Sequence, residues 1–328
     1  MFGIYSRVRD LLLRQFRATD PPHAVVPLDA APQVTLAEPS AAPSSEPAAV
    51  EEYWTDTNVT NHRKYASAEE SLQDFRWRNA QYLRYIELMP VAGADDMCVL
   101  DFGCGPGHDL VGFGTFSKPK RLIAVDVSKR SLAEAADRLT LHAIKADLIY
   151  HDVHHGPLPI ETGSVDLVHC SGVLHHLPDP QLTLAELRRV LRPGGTAQIM
   201  VYNYQSAFVH LYVAYQRQVL EGIYSDLDVE QAFARSTDGP DCPISRAYRP
   251  HEWVNLVEEQ GFRCAQIGAA ISTTEMSLLP KRFDAIMDRR LREESRDFLA
   301  SLRFDEFGVP YHGDLVAGVD GCYKFTAV

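Results

Sequence analysis

Gly103-Cys104-Gly105-Pro106-Gly107 sets glycines at alternate positions directly after an apolar run, Val99-Leu100-Asp101-Phe102. Without a Cβ, a glycine lets the backbone turn tightly and come within contact distance of a ligand. A strand that runs through such a loop into a helix is where an α/β sheet holds a small ligand. Two ligand chemistries compete for it. A dinucleotide loop has the spacing G-x-G-x-x-G and rests a pyrophosphate on the following helix N-terminus. Here the third glycine arrives one residue early, and a carboxylate, Asp101, stands in the strand end before the loop. An anion site would not place a carboxylate there, whereas a ligand carrying an ammonium group would be drawn to it.

Further segments follow in order. Leu122-Ile123-Ala124-Val125-Asp126 is an apolar run ending in a carboxylate, and Leu148-Ile149-Tyr150-His151-Asp152-Val153 places a second one at a strand end. The run Val165 to Leu177 carries Cys170, Ser171, His175 and His176. Leu184 to Leu191 has helical spacing, Pro193-Gly194-Gly195 breaks it, and Thr196 to Tyr202 alternates as a strand. By itself such a glycine loop is as often a plain tight turn, and Asp126 or Asp152 by itself is more often a helix N-cap. Five matches in register carry the reading together.

In this order and spacing the segments closely resemble the class I S-adenosylmethionine-dependent methyltransferases, in particular small-molecule members with a UbiE-like core. The resemblance covers about half of the chain, from Met97 to Ala269. It implies an α/β, Rossmann-like, mostly parallel sheet of seven strands in the order 3-2-1-4-5-7-6, with helices on both faces. An N-terminal helical cap and an insertion between the last two strands are added to that core. S-adenosylmethionine is the implied cofactor and S-adenosylhomocysteine the product. Asp101, Gly103, Cys104, Gly105 and Gly107 then cradle the methionine and ribose part. Asp126, with Val127, grips the ribose diol, Asp152 accepts from the adenine amino group, and the Val153 amide faces the ring. Cys170 and Ser171 complete the cofactor set.

Methyl transfer from a sulfonium needs the acceptor's lone pair in line with the departing sulfur, so holding two molecules at near-attack geometry supplies most of the catalysis. A base helps where the acceptor is a hydroxyl. His175 and His176, with unperturbed pKa values near 6.5, are the candidates, and His175 is the preferred one. Both also have a plain alternative, packing beside the cofactor. Tyr202, Asn203, Arg246 and Tyr248 are candidate substrate contacts. They suggest a small polar acceptor methylated on O or N, such as a sugar or glycan precursor. Arg78, beside Trp77, can pair with the cofactor's methionine carboxylate or simply face solvent. His151, His154 and His155 match neither a helical H-x-x-x-H pair nor a finger spacing, so no metal is expected. Three other readings stay open: carbon methylation of a quinone-like molecule, a nicotinamide-dependent oxidoreductase, and a cofactor-binding but inactive partner of another enzyme.

The elements that must position these groups are read from the rest of the chain. It has 328 residues, 45% of them apolar, and a formal net charge of −12, which argues against a nucleic-acid surface. Its six cysteines form no C-x-x-C pair and fit a reduced, cytoplasmic setting. Residues 1–20 read as a basic amphipathic helix, with Ile4, Val8, Leu11, Leu12 and Phe16 among Arg7, Arg9, Arg14 and Arg17. Residues 1–17 are a candidate surface for a membrane or another protein. Residues 21–50 read as a flexible Pro/Ala/Ser-rich linker and 51–90 as an aromatic-rich helical cap over the cofactor. Residues 91–328 form the catalytic domain, with substrate-lid segments at about 203–249 and 271–315. The later insertion carries a charged helix near 289–302 and is a candidate subunit contact in a homodimer.

Overall fold

The computed structural model describes residues 45–328 and the short strand Val34–Leu36. The expected basic helix at 1–17 lies outside the described residues. In chain order the strands are β1 (Val34–Leu36), β2 (Tyr82–Leu83), β3 (Cys98–Phe102), β4 (Arg121–Asp126), β5 (Asp147–Tyr150), β6 (Val165–Ser171), β7 (Leu191–Tyr202), β8 (Phe262–Ser272), β9 (Arg303–Phe304), β10 (Pro310–His312), β11 (Leu315–Val316) and β12 (Asp320–Ala327). The helices are α1 (Ser45–Asp56), α2 (Ala68–Ala80), α3 (Tyr85–Leu88), α4 (His108–Phe116), α5 (Lys129–Leu141), α6 (Pro180–Val190), α7 (Phe208–Leu220), α8 (Val229–Ser236), α9 (Pro250–Glu258), α10 (Thr273–Leu278), α11 (Arg282–Met287) and α12 (Glu293–Ser301).

The main sheet has the order β1-β5-β4-β3-β6-β7-β12-β8-β2. Its seven central strands follow the expected order, with β12 antiparallel to both β7 and β8 and the others parallel. The parallel strands are apolar on both faces because helices cover both. Within β3, Leu100 and Phe102 enter one core with Ile123, Val168 and Ile199, while Val99 enters the other with Leu122, Ala124 and Leu167. Leu184 and Leu187 of α6 and Trp253 and Val257 of α9 close the first core. Phe75 of α2, Leu110 and Phe113 of α4 and Leu132 of α5 close the second. Every residue of β3 is buried, so Asp101 is the one polar side chain in that strand and sits where a charge is costly.

Three details differ from the expectations. The stretch expected as a linker holds β1, which pairs in parallel with β5, and α1 begins at Ser45 rather than near Glu51. β2 adds to the far edge, antiparallel to β8. The strand expected from Thr196 begins at Leu191, with Pro193-Gly194-Gly195 inside it. Leu191 pairs with Val165 and Thr196 with Leu167, so the turn residues bulge out of a continuing ladder.

The two segments expected as a lid pack as one body. Val209 and Val213 of α7, Phe233 of α8, Ala285 of α11 and Phe298 of α12 share a core, and the expected charged helix is α12. α7 is π-wound, its last turn closed by Glu221 N–H donating to the Gln216 carbonyl at 3.1 Å. Among the described residues no helix is long and apolar enough to cross a membrane.

Candidate active site

The glycine loop is fixed from β4. Gly103 N–H and Cys104 N–H donate to the Val125 carbonyl at 2.8 and 3.1 Å, and Gly105 N–H donates to Asp126 Oδ2 at 2.8 Å. Gly103 has φ +74°, and a Cβ there would lie 2.2 Å from Val173 Cγ2, so the loop is pressed against the turn after β6. Gly105 has φ +51° with open space where its Cβ would be. That space is the cradle of a cavity lined by Gly103 to Pro106, Asp126, Val127, Asp152, Val153 and Ser171. Trp54 and Asn58 from the N-terminal cap, together with Arg78 and His176, close it.

Asp126 accepts Gly105 N–H on one oxygen and Ser128 N–H on the other, each at 2.8 Å. Each oxygen keeps a further lone pair, which is the acceptor set a vicinal diol requires. Burial pushes its carboxyl up to about 6 against those backbone donors. Asp152 Oδ1 accepts the backbone N–H and the ring Nδ1 of His154, at 2.9 and 2.7 Å, capping the single turn Val153–His155. The Cys104 thiol is pushed well above its ordinary range by burial and is no nucleophile.

Three residues of the expected cofactor set do not reach the cavity wall. Asp101 is 2% exposed behind the loop, with no hydrogen bond to its Oδ2. Burial pushes its carboxyl up to about 7, with Asp109 and Asp126 acting in the same direction and His169 against them. Gly107 caps α4, and Cys170 is wholly buried in the sheet core. Sequence reading missed the neighbour that organises this region. His169 on β6 faces Asp109 on α4 at 3.3 Å. Burial raises the Asp109 carboxyl, but the bond from His169 outweighs it and holds it low; His169 is correspondingly raised. No spacing rule joins two residues sixty positions apart.

A second cavity of about 530 Å³ adjoins the first and shares Trp54, Arg78, Ser171, Gly172 and His176 with it. Arg78 therefore faces both cavities rather than only solvent. The two adjacent histidines separate here. His175 is wholly buried, stacked on Tyr202 with ring centroids 3.8 Å apart, and its Nδ1 accepts the Tyr202 backbone N–H at 3.3 Å. It lines neither cavity, which corrects the preference for it as base. His176 lines both. Its Nδ1 lies 2.6 Å from the Ile244 carbonyl, its Nε2 lies 3.8 Å from Asp238 Oδ2, and Trp54 packs on the ring at 4.8 Å. A carbonyl can only accept, so Nδ1 carries the proton and Nε2 the lone pair. Burial lowers its pKa below the ordinary value, and Asp238 opposes that.

Asp238, from the loop at 236–248, is the hub that sequence reading did not single out. Its Oδ1 accepts Tyr202 Oη–H and its Oδ2 accepts Ser245 Oγ–H, both at 2.9 Å, while its backbone carbonyl accepts Tyr53 Oη–H. Of the expected substrate contacts, only Tyr202 reaches the cavity. Asn203 spends its amide on the Gln205 and Gly318 carbonyls at 2.9 and 3.0 Å, and Arg246 ties down the carbonyls of Leu177 and Pro178. Tyr248 packs on Trp253 at 4.6 Å. These three are structural, holding the lid loop to the sheet. His151 bonds the Gly156 carbonyl and His154 bonds Asp152. Among the described residues, one histidine–thiol–carboxylate group is compact enough for an ion, His176, Asp238 and Cys242. Its Nδ1 and Sγ are both taken up by the Ile244 carbonyl, at 2.6 and 3.4 Å.

Residues 99–195 match the family model described as a methyltransferase domain. The chain is similar to an uncharacterized 37.1 kDa protein in transposon TN4556 of Streptomyces fradiae, 36% identical over 137 residues, 42% of this chain and 35% of that protein. It is also similar to the probable methyltransferase ltbC of Aspergillus luteorubrus, 30% identical over 148 residues, 42% of this chain and 51% of that protein. A solved S-adenosylmethionine-dependent methyltransferase from Aquifex aeolicus aligns at 18% identity and a TM-score of 0.41, covering 63% of this chain and 93% of that one. The matched stretch spans about half or less of the curated relatives' own length. The segment that carries the glycine loop and the two strand-end carboxylates thus matches a methyltransferase domain, as the sequence resemblance implied.

Proposed function

We propose that this protein transfers a methyl group from S-adenosylmethionine to a hydroxyl of a small polar acceptor, with His176 as general base. The observation that carries this reading is the placement of His176. It stands on the wall between a cavity of cofactor character and a polar one, with Nε2 bare. The residues present fit the cofactor: a backbone cradle open at Gly105, an Asp126 carboxylate with spare lone pairs, and Arg78 facing the same space. When bound, it supplies an electrophilic methyl on a sulfonium, which leaves as the neutral thioether. Asp126 would hold the ribose hydroxyls, Asp152 the adenine end, and Arg78 the methionine carboxylate.

On the acceptor side, His176 Nε2 takes the hydroxyl proton as the oxygen–carbon bond forms. The imidazolium so made faces Asp238 Oδ2 at 3.8 Å, and Tyr202 and Ser245 keep that carboxylate aimed. A cavity of about 530 Å³ is within the ordinary size range for small-molecule sites, which supports a small acceptor over a macromolecule. Tyrosine hydroxyls and carboxylates on its wall favour a polar acceptor over a quinone-like one. Incubating the protein with S-adenosylmethionine and a panel of polyhydroxylated amines and sugars, and assaying S-adenosylhomocysteine release, tests the reading. Acceptor-dependent release that is lost in His176→Gln supports it; full turnover in that variant sinks the assignment of the base.

A further inference from the structure

The wall of the acceptor cavity carries a carboxyl that the proposed reaction does not use. Asp74, Asp238 and Asp320 all line it. Asp74 is matched by Arg63 at 2.8 Å and by Tyr65 Oη–H at 2.7 Å, and Asp238 by Tyr202 and Ser245. Asp320 is different. It opens β12 between Tyr202 of β7 and Ala270 of β8, and is only 3% exposed. Among the described residues no hydrogen bond or ion pair reaches its carboxyl, although it faces the cavity. Glu275, Arg78 and Asp238 are the charged groups that act on it, and Tyr82 feels its charge in turn; Arg78, the one cation among them, also lines the donor cavity and stands beyond salt-bridge distance.

A buried carboxyl without a partner is costly, and the cost is relieved by a cation brought to it. Trp54, Trp77, Tyr82, Tyr85 and Tyr202 line the same space. Aromatic faces attract an ammonium and gain nothing from a carboxylate. Burial, with Glu275 and Asp238 acting in the same direction and Arg78 against them, pushes the Asp320 carboxyl well above the usual range, so it keeps its proton until an ammonium takes that proton's place.

We propose that Asp320 is a specificity-determining residue that binds an ammonium group of the acceptor, so that the substrate is a small aliphatic amine bearing a hydroxyl. A protonated amine has no lone pair and cannot itself take the methyl. The ammonium is the anchor, and the hydroxyl presented to His176 is the nucleophile. This inference rests on the methyl-transfer reading for the role of the cavity, and its test is kept apart from that reading.

Cyclohexylamine, cyclohexanol and cyclohexanecarboxylate are titrated into the full-length, cofactor-free protein with ligand-observed NMR. The amine binds wild type at least about tenfold more tightly than the alcohol, the scale of one hydrogen bond to a charged group. In Asp320→Asn the amine loses that advantage, while the alcohol stays within about twofold. S-adenosylhomocysteine affinity, measured calorimetrically on the same variant, stays within about twofold and reports that the fold is intact. Failure of S-adenosylhomocysteine to bind wild type would count against the methyl-transfer reading alone. Equal binding of amine and alcohol, preference for the carboxylate, or no binding of the amine overturns the proposal. Equal affinities of amine and alcohol in wild type overturn it even where the variant does not fold.

Discussion

His176 Nδ1 is bound to the Ile244 carbonyl at 2.6 Å, and this one contact decides which ring nitrogen faces Asp238. The carbonyl holds the imidazole in the tautomer whose Nε2 is basic, and Asp238 stands ready for the cation. Burial lowers the His176 pKa below 6.5, so the ring is neutral and able to accept a proton at neutral pH. The acid limb of kcat against pH therefore lies below that of an ordinary histidine. His176→Gln lowers kcat by about 10²- to 10⁴-fold. Asp238 raises the His176 pKa, so Asp238→Asn moves the limb to still lower pH and also lowers the rate. A limb that moves upward in Asp238→Asn contradicts the pairing.

His175 behaves otherwise. Stacked on Tyr202 and accepting its N–H, it supports the end of β7 from inside. His175→Asn lowers stability by about 1–3 kcal/mol through a lost buried contact and hydrogen bond. Differential scanning calorimetry should show the lower Tm, and the kcat limb should stay in place. A displaced limb with unchanged Tm assigns His175 the chemical role instead.

Gly103 and Gly105 separate packing from ligand approach. A Cβ at Gly103 would strike Val173 at 2.2 Å, so Gly103→Ala costs Tm as well as cofactor affinity. Gly105→Ala meets open space, and its left-handed backbone costs about 1–2 kcal/mol. Its added methyl stands where the cofactor must approach, so affinity for S-adenosylhomocysteine falls far more than Tm does. Equal damage to both quantities in both variants contradicts the cradle.

Asp101 offers a stability test. Its folded-state pKa, about 7, lies above the ordinary carboxyl value of 3.8 because burial penalises the charge. The stability its neutral form contributes is complete below about pH 4 and is lost as pH rises through about 7. Asp101→Asn removes the titration, so its Tm relative to wild type rises over that window. A difference in Tm that is flat with pH shows Asp101 to be ordinary.

Much of this arrangement was legible before the fold was described. The seven central strands follow from short apolar runs buried on both faces, while the roles expected of Asp126 and the glycine loop come from the family resemblance that those runs carry in order. β1 and β2 were not legible because runs of three and two residues carry no periodicity; the sheet edges they join decide them. Pro193-Gly194-Gly195 reads as the break between helix and strand, but pairing on either side starts the strand before it, at Leu191. His175 and His176 are alike in type, and only the single turn Leu174–His176 assigns one to the core and one to the cavity. Asn203, Arg246 and Tyr248 are rich in hydrogen-bonding groups, yet nearby carbonyls and Trp253 claim them first.

The central claim is that Gly103 to Pro106 and Asp126 form a site for the methyl donor. Calorimetric titration of wild type and Asp126→Ala with S-adenosylhomocysteine tests it most directly. Asp126 must be ionised to accept two ribose hydroxyls, and its carboxyl titrates at about 6. Wild-type affinity is therefore full above that value and falls about tenfold per pH unit below it. Asp126→Ala loses about 30- to 1000-fold, the worth of one to two hydrogen bonds to a charged group, and loses the pH dependence with it. No binding to wild type, or equal binding by the variant, contradicts the account.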